Sequence, residues 1–213
     1  SGYIEATDQL AVIVEFPIAN ADIEGTFTDY SETSFGNLYL GMEYKIANLD
    51  ETRAGVFRLG FRPPIASDEK YAAAEVNYIG LYDRFEAVYP DLSTIAGGGG
   101  YHWRMDNGFG IDADVNGALM LPGDGDKELF MDYNLTFWLT QQQFRGGLGF
   151  AGRMLMTEDD LDFSERTIHQ LGFFGSYDFG QFRPGVHFRL PVDDDLSDIL
   201  NFTWGISLMA EFE

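Results

Sequence analysis

The feature that most constrains this chain is a long alternation of apolar and polar residues with a period of two. Over residues 108–121, Phe109 and Ile111 fall on one side of an extended chain, whereas Asp112 and Asp114 fall on the other. Successive side chains of a β-strand point to opposite faces, so this segment is predicted to be a strand with one apolar and one polar face. The same alternation recurs along the chain, which predicts an all-β fold.

The length of the alternating segments indicates the environment of the strands. Strands of globular proteins average about 5–6 residues, whereas a tilted strand that spans a membrane needs about 9–11. Most of the alternating segments reach or exceed the longer value, which predicts membrane-spanning strands. The ten predicted strands are 8–18, 34–46, 53–63, 93–104, 108–121, 128–140, 144–155, 167–178, 181–190 and 201–212.

One stretch, residues 67–89, breaks the alternation and is predicted to be a helical insertion. Its aromatic residues recur at steps of three or four, as on one face of a helix, and Pro90 is expected to end it. Together in water these rings would form an exposed apolar patch, whereas phenolic hydroxyls can reach polar groups while their rings pack. We therefore expect the helix to close the extracellular mouth of the barrel. The residues of this stripe are Tyr71, Tyr78, Tyr82, Phe85 and Tyr89.

The connections between the strands fall into two sets, which favours a closed barrel. An antiparallel closure of the last strand on the first requires an even strand number, and ten strands with one helix satisfy it. Short turns and long loops at opposite ends are typical of outer-membrane barrels, with the long loops extracellular. The whole chain, 1–213, is therefore predicted to be one ten-stranded antiparallel transmembrane β-barrel with an extracellular helical insertion. The predicted short turns are 47–52, 105–108, 141–143 and 178–181, and the longer connections are 19–33, 67–89, 122–127, 157–166 and 191–201.

The apolar face of the strands is predicted to face lipid and the polar face to line the lumen. The aromatic residues on the apolar face are too bulky for a lumen that ordinary side chains already fill at eight strands. The polar face carries charges of both signs, and the hairpin registers would bring Glu43 near Arg58 and Asp132 near Arg153. The predicted lumen charge network is Glu43, Arg58, Arg62, Asp112, Asp114, Asp132, Arg145, Arg153, Arg183, His187 and Arg189.

The charge balance of the chain restricts its partners. Lys and Arg total 13 against 35 Asp and Glu, for a formal net charge of -22, which excludes a nucleic-acid partner because phosphates need a basic surface. Three acidic runs, 124–126, 158–160 and 193–195, are predicted to lie in extracellular loops, as solvated acids or as sites for divalent cations. The expected partners are outer-membrane lipid, other envelope proteins and divalent cations at these loops. No cofactor is expected, and the absence of cysteine excludes disulfides and a thiolate nucleophile.

The closing segment, 203–212, carries a recognisable pattern. Thr203 is followed by Gly205 and then by alternating apolar positions such as Leu208, with Phe212 as the late aromatic residue. This strand resembles the C-terminal assembly signal of bacterial outer-membrane proteins, although Glu213 stands last instead of an aromatic residue. The resemblance implies that the chain resides in the bacterial outer membrane.

The histidines are the residues best suited to acid–base chemistry. His102 and His187 are predicted to face the lumen and His169 to face lipid, and no catalytic or metal-binding motif is found among them. We therefore expect a non-enzymatic structural or surface component with acidic extracellular loops. One alternative is a narrow channel for small or cationic solutes. A second is a hydrolase at the barrel rim, with His187 or His102 as base and Asp112 or Asp114 as partner.

Overall fold

A computed structural model of the chain describes residues 2–24, 29–50, 52–66, 84–158, 162–198 and 200–210. These residues form thirteen β-strands, one short 3-10 helix at Phe85–Ala87, and one helical turn, α1, at Asp194–Ser197. The strands are β1 (Gly2–Glu5), β2 (Leu10–Glu15), β3 (Ile18–Glu24), β4 (Asp29–Phe35), β5 (Tyr39–Asp50), β6 (Arg53–Arg62), β7 (Leu92–Arg104), β8 (Phe109–Pro122), β9 (Glu128–Gln141), β10 (Phe144–Leu155), β11 (Thr167–Tyr177), β12 (Phe182–Pro191) and β13 (Thr203–Ala210).

Eleven of these strands form one antiparallel sheet in the order β1-β2-β5-β6-β7-β8-β9-β10-β11-β12-β13. Each of the ten predicted strands has a counterpart in this sheet, but the predicted number is wrong. The additional strand is β1, which pairs with β2 from Gly2 opposite Val14 to Glu5 opposite Ala11. A four-residue strand is too short to show the alternation, so the pattern could not reveal it. Neighbouring strands alternate in direction, so in a sheet of eleven strands the first, β1, and the last, β13, run parallel. The prediction that the last strand pairs antiparallel with the first, which needs an even number of strands, therefore does not apply to this sheet.

The predicted long loop at 19–33 instead contains most of a separate hairpin. Strands β3 and β4 pair with each other from Ile18 opposite Phe35 to Glu24 opposite Asp29. The predicted strand 34–46 accordingly begins later, at Tyr39. Alternation in the sequence identifies strands that have one apolar face. Two polar strands can pair through their backbones without an apolar face, so they leave no alternation to detect. The hairpin was missed for that reason.

The predicted helix at 67–89 lies mostly outside the described residues, which resume at Arg84. In the part that is described, the helical prediction is wrong beyond the 3-10 helix at Phe85–Ala87. The carbonyl groups that would continue a helix have tertiary partners instead. The side-chain amide of Asn37 donates to the carbonyls of Glu86, at 3.0 Å, and of Tyr89, at 2.7 Å. No described segment forms a helix long and apolar enough to cross a membrane.

In this sheet the apolar face is more exposed than the polar face, whereas in a soluble protein the apolar face is the buried one. On β6, Phe57 is 52%, Leu59 48% and Phe61 43% exposed. On the opposite face of the same strand, Arg58 is half-buried and Arg62 is buried. Soluble monomers rarely leave a large contiguous apolar surface open. The apolar face is thus the uncovered one, and the polar face is more fully covered.

The sheet is curled toward its polar face. The main-chain carbonyl of Glu86 accepts a hydrogen bond from Asn37, just before β5, and its carboxylate accepts one from Arg153 on β10. In a flat sheet β5 and β10 would lie about 24 Å apart, at five spacings of about 4.8 Å, with side chains perpendicular to the sheet. One residue can contact both strands only if the sheet bends so that they approach each other across the polar face.

Candidate functional site

The centre of the polar face is occupied by a carboxylate–arginine–carboxylate cluster. Arg58 on β6 contacts Glu43 on β5, with Nε 2.7 Å from Oε2, and Asp114 on β8, with Nη1 2.6 Å from Oδ1. The hydroxyl of Tyr3 donates to Glu43 at 2.9 Å. To reach Asp114, Arg58 crosses β7 opposite Gly98, which has no side chain in its path. The predicted approach of Glu43 and Arg58 is found, and β1 adds Tyr3 to it.

A second cluster lies at the end of the sheet where the long connections meet. Arg62 Nη2 lies 2.6 Å from Glu15 Oε2, and Arg62 Nη1 donates to the main-chain carbonyl of Asn37 at 3.2 Å. The guanidinium also lies 4.9 Å from the centre of the Tyr39 ring. A buried guanidinium needs such a full set of partners because an unpaired buried charge is strongly unfavourable. This cluster ties β2, β5 and β6 together at that end.

Residues 84–92, here called the crossing segment, pass over the polar face at the same end. Glu86 is buried and accepts a hydrogen bond from Arg153 Nη1 at 3.0 Å. The Arg153 guanidinium also lies 5.3 Å from the ring centre of Phe85 and 4.7 Å from that of Phe130. Arg153 Nε is 3.2 Å from Asp132 Oδ1, so the predicted approach of Asp132 and Arg153 is found. The crossing segment is thereby fixed to β9 and β10.

Asn37 fixes both ends of the connection between β6 and β7. Its amide nitrogen donates to the crossing segment, and its Oδ1 accepts hydrogen bonds from the main-chain amides of Ile65 and Ala66, each at 2.8 Å. The adjacent Gly36 allows the close approach, because a Cβ there would lie 2.1 Å from the carbonyl oxygen of Ala87. Sequence reasoning missed Asn37 and Glu86. The available signal was an asparagine inside a predicted strand, where asparagine is disfavoured.

The predicted mouth-closing residues have different outcomes. Tyr71, Tyr78 and Tyr82 lie outside the described residues. Phe85 packs against Phe130 with ring centres 5.8 Å apart, on the polar face. Tyr89 stacks edge-on against Phe85 at 6.4 Å and remains 37% exposed. Of the two described residues, Phe85 therefore packs onto the polar face, while Tyr89 lies at its margin.

The opposite end of the polar face, near the short turns, contains a histidine–aspartate pair. His102 Nδ1 lies 3.0 Å from Asp112 Oδ1, and Arg145 Nη2 lies 3.5 Å from the other oxygen of that carboxylate. The Arg145 guanidinium stacks 4.1 Å from the centre of the Trp138 ring. A histidine held by a carboxylate can accept and return a proton. This pair, which the hydrolase alternative named, lies beside the turn at 105–108.

The remaining predicted network residues lie on β12. Arg183 pairs with Asp178 of the adjacent turn, with Nη2 2.6 Å from Oδ2, and Gly180 donates its main-chain amide to the same carboxylate. The hydrogen bond from Arg183 lowers the pKa of Asp178 below its ordinary value, and the Gly180 amide lowers it further. His187 and Arg189 line a cavity of about 390 Å³ on the polar face, together with Asp132 and Arg153.

A separate polar cluster lies on the apolar face, where His169 was predicted to be. The His169 ring contacts the Tyr133 hydroxyl through Nε2 and the Asp193 carboxylate through Nδ1, at 3.0 Å. The rings of Phe150, 5.4 Å away, and Phe163, 6.3 Å away, surround it. With Nδ1 donating to Asp193, Nε2 accepts from Tyr133. This chain of hydrogen bonds attaches the connection after β12 to the outer surface of β9 and β11.

The acidic runs show no cation site in the described parts. Asp193 is engaged by His169, while residues 159 and 160 lie outside the described residues. Across the described ranges, histidine and carboxylate side chains form no group of three or more positioned to hold a metal ion.

Comparisons with known proteins leave the family open. No family model matches the chain, and no curated protein matches it. Among solved structures, the chain is similar to that described as the Salmonella typhi OmpF complex with daunomycin, at 12% sequence identity, over all of this chain and 89% of the other. The TM-score is 0.38, which is too low to carry a conclusion about function.

Proposed function

We propose that this chain is an outer-membrane β-barrel protein whose interior is cross-linked by ion pairs and obstructed at the long-loop end, and which serves as a non-enzymatic structural or surface component. The observation that carries the proposal is the contact of Glu86 with both Asn37 and Arg153. It requires a curled sheet and places a chain segment across the polar face. The uncovered apolar face then contacts lipid, as in transmembrane barrels.

The charges of the polar face support an obstructed interior over a wide pore. Arg58, Arg62 and Arg153 each extend from the wall to carboxylates of another element. Bidentate or multiply paired guanidinium groups are rigid because each hydrogen bond restricts the same planar group. Long side chains held across the interior leave little free path for solutes. The proposal therefore favours a structural or surface role over the channel alternative.

The test of this proposal combines membrane partition with conductance. The full chain should partition into detergent and fractionate with outer membranes, and in planar bilayers it should show no steady conductance. Asn37→Ala, which removes the contacts of Asn37 with both ends of the β6–β7 connection, should produce conductance. Asn107→Ala, in the short turn at the opposite end, is the matched control and should remain closed.

Three results would contradict the proposal. A chain that stays in the aqueous phase would exclude the membrane barrel. Equal steady conductance in the unsubstituted protein and in Asn37→Ala would favour the channel alternative. Hydrolysis of outer-membrane lipids that is lost in His102→Gln or His187→Gln would favour the enzyme alternative.

A further inference from the structure

Three arginines, here called the arginine cluster, lie on the polar face at the end where the short turns are found. They are Arg104 on β7, Arg145 on β10 and Arg183 on β12. The positive charges of Arg183 and Arg104 both repel that of Arg145, so both guanidinium groups lie within electrostatic range of it. Like charges at such a range repel each other unless a charge of opposite sign lies between them.

The ring of Trp138 brings two of these arginines toward each other. This ring lies over Gly110, where an added Cβ would overlap it, and Gly110 is directly opposite Arg104 in the register of β7 with β8. The Arg145 guanidinium stacks on the same ring, 4.1 Å from its centre. Arg104 and Arg145 therefore approach one ring, although β8 and β9 separate their strands in the sheet.

The carboxylates that contact the cluster leave part of its positive charge unneutralised. Asp178 pairs with Arg183 at 2.6 Å. Asp112 is shared, because its Oδ1 contacts His102 and its Oδ2 lies 3.5 Å from Arg145 Nη2. This second distance is longer than that of an ordinary N–H···O hydrogen bond. The Arg145 side chain remains 38% exposed, so a ligand can reach it.

Arg104 has fewer partners still. Its side chain is exposed, and it forms no ion pair with a carboxylate of the described ranges, including the exposed Asp106 in the adjacent turn. Arg58 and Arg153, by contrast, each contact two carboxylates. The chain has 35 acidic and 13 basic residues, so carboxylates are in excess overall and the arginines are in excess here. An anion from solution would supply the missing partner.

The arrangement of the donors favours a phosphate group over a carboxylate. A carboxylate has two oxygens in one plane, and a single guanidinium can engage both of them. A phosphate group has three acceptor oxygens that point in different directions, so it can accept hydrogen bonds from Arg104 and Arg145, which approach from different strands. The net charge of -22 does not prevent binding, because at an ionic strength of about 0.15 M exposed charges more than about 8 Å away are largely screened.

We propose that Arg104 and Arg145, with Arg183 adding positive charge, bind the phosphate group of free phosphate or of a phosphorylated solute on the polar face beside the short turns. The inference goes beyond the proposed structural role. It depends on that role only for the location of the site, at the periplasmic end of the barrel.

Two single substitutions separate this site from the overall charge of the chain. Arg104→Gln removes one guanidinium of the site, and the fold should tolerate it because Arg104 is exposed and forms no ion pair within the described ranges. Lys127→Gln is the matched control. Lys127 is exposed in the loop between β8 and β9, at the opposite end of these strands, and its replacement removes the same single charge.

The experiment is an NMR titration of the full chain in micelles of an uncharged detergent, observed through the Nε–H signals of its arginines. The probes are inorganic phosphate, glycerol 3-phosphate and acetate at constant ionic strength, each up to about 10 mM, above the Kd of about 1 mM that corresponds to weak binding. We expect phosphate to shift the signals of Arg104 and Arg145 saturably. Its affinity should fall at least about tenfold in Arg104→Gln, with the loss of charge-assisted hydrogen bonds, and change less than about twofold in Lys127→Gln.

The two phosphate probes distinguish the sources of the ligand. Binding of glycerol 3-phosphate as well as phosphate would support a site for phosphorylated solutes, and binding of phosphate alone would support a site for the free ion. The proposal is overturned if phosphate shifts neither arginine, if acetate binds as tightly as phosphate, or if the two substitutions weaken phosphate binding equally.

Circular dichroism and micelle association are recorded on each sample, so that the two proposals fail separately. A chain that is β-rich and micelle-bound but binds no phosphate refutes the anion site alone. A chain that binds phosphate at Arg104 and Arg145 without entering micelles supports the anion site and refutes the barrel.

Discussion

Glu86 accepts a hydrogen bond from Arg153 at 3.0 Å, although the two residues lie 67 positions apart in the chain. Both side chains are almost fully buried, and the contact joins the crossing segment to β10. In sheet order β10 is five strands from β5. Asn37, which lies just before β5, also binds the crossing segment, through the carbonyl of Glu86. This one ion pair therefore reports on both the curvature of the sheet and the position of the crossing segment.

Glu86→Gln should destabilise the folded protein by about 3 kcal/mol, because removal of one partner leaves a buried charge poorly compensated. Urea unfolding in lipid vesicles, followed by tryptophan fluorescence, measures the change. The control is Asp124→Asn, an exposed loop residue, which should change stability by less than about 0.5 kcal/mol. Equal unfolding midpoints for the two variants would show that the Glu86–Arg153 pair is not buried in the folded protein.

In the Glu43–Arg58–Asp114 cluster, replacing the arginine should reduce the unfolding free energy more than replacing one of the carboxylates. Arg58→Met removes the partner of two carboxylates, whereas Asp114→Asn leaves Arg58 paired with Glu43. We expect a loss of about 3–5 kcal/mol for Arg58→Met and of about 1.5–3 kcal/mol for Asp114→Asn. The same unfolding measurement separates them. A larger loss for Asp114→Asn than for Arg58→Met would contradict the central position of the arginine.

Most of the sheet could be predicted because strand pairing is local. The alternation over 108–121 predicts β8, found at Phe109–Pro122. The short turns fix hairpin register, which is why Glu43 and Arg58 were expected to meet, and they are directly opposite in the sheet. Each of these inferences needs only neighbouring residues and the two-residue period of a strand.

The crossing segment could not be predicted for the opposite reason. Asn37 and Glu86 are 49 residues apart, and no periodicity links a loop residue to a strand on the other side of a curled sheet. The aromatic spacing over 67–89 did favour a helix, but in the described part the tertiary hydrogen bonds of Asn37 take the carbonyl groups. Local propensity is a weak prior where such partners compete.

The turn after β11 should lose a stabilising interaction at low pH. The hydrogen bond from Arg183 lowers the pKa of Asp178 below its ordinary value of about 3.9. A lowered pKa in the folded state means that this interaction stabilises the turn above the ordinary pKa and is lost as the pH falls through the folded value. NMR titration of the Asp178 carboxyl should show this, and Arg183→Gln should raise the pKa toward 3.9. An unchanged pKa in Arg183→Gln would exclude the pairing.

The Tyr133–His169–Asp193 cluster predicts how the connection after β12 is held to the outer surface. Tyr133→Phe removes the hydroxyl that contacts His169 Nε2 while keeping the ring that packs near Phe150. We expect a loss of about 1 kcal/mol in unfolding free energy, the usual net value of one hydrogen bond. Faster amide hydrogen exchange should accompany it in the connection after β12, because His169 also contacts Asp193.

Tyr101→Phe is the matched control for this prediction, since Tyr101 is a strand tyrosine that is 43% exposed. In Tyr101→Phe, amide hydrogen exchange in the connection after β12 should equal that of the unsubstituted protein. Asp193→Asn should reproduce the effect of Tyr133→Phe on exchange, because a neutral amide accepts more weakly than a carboxylate from the imidazole N–H. A different result would contradict this prediction: Tyr133→Phe lowers stability, but neither Tyr133→Phe nor Asp193→Asn changes hydrogen exchange after β12. In that case the Tyr133–His169 and His169–Asp193 contacts would be independent of each other.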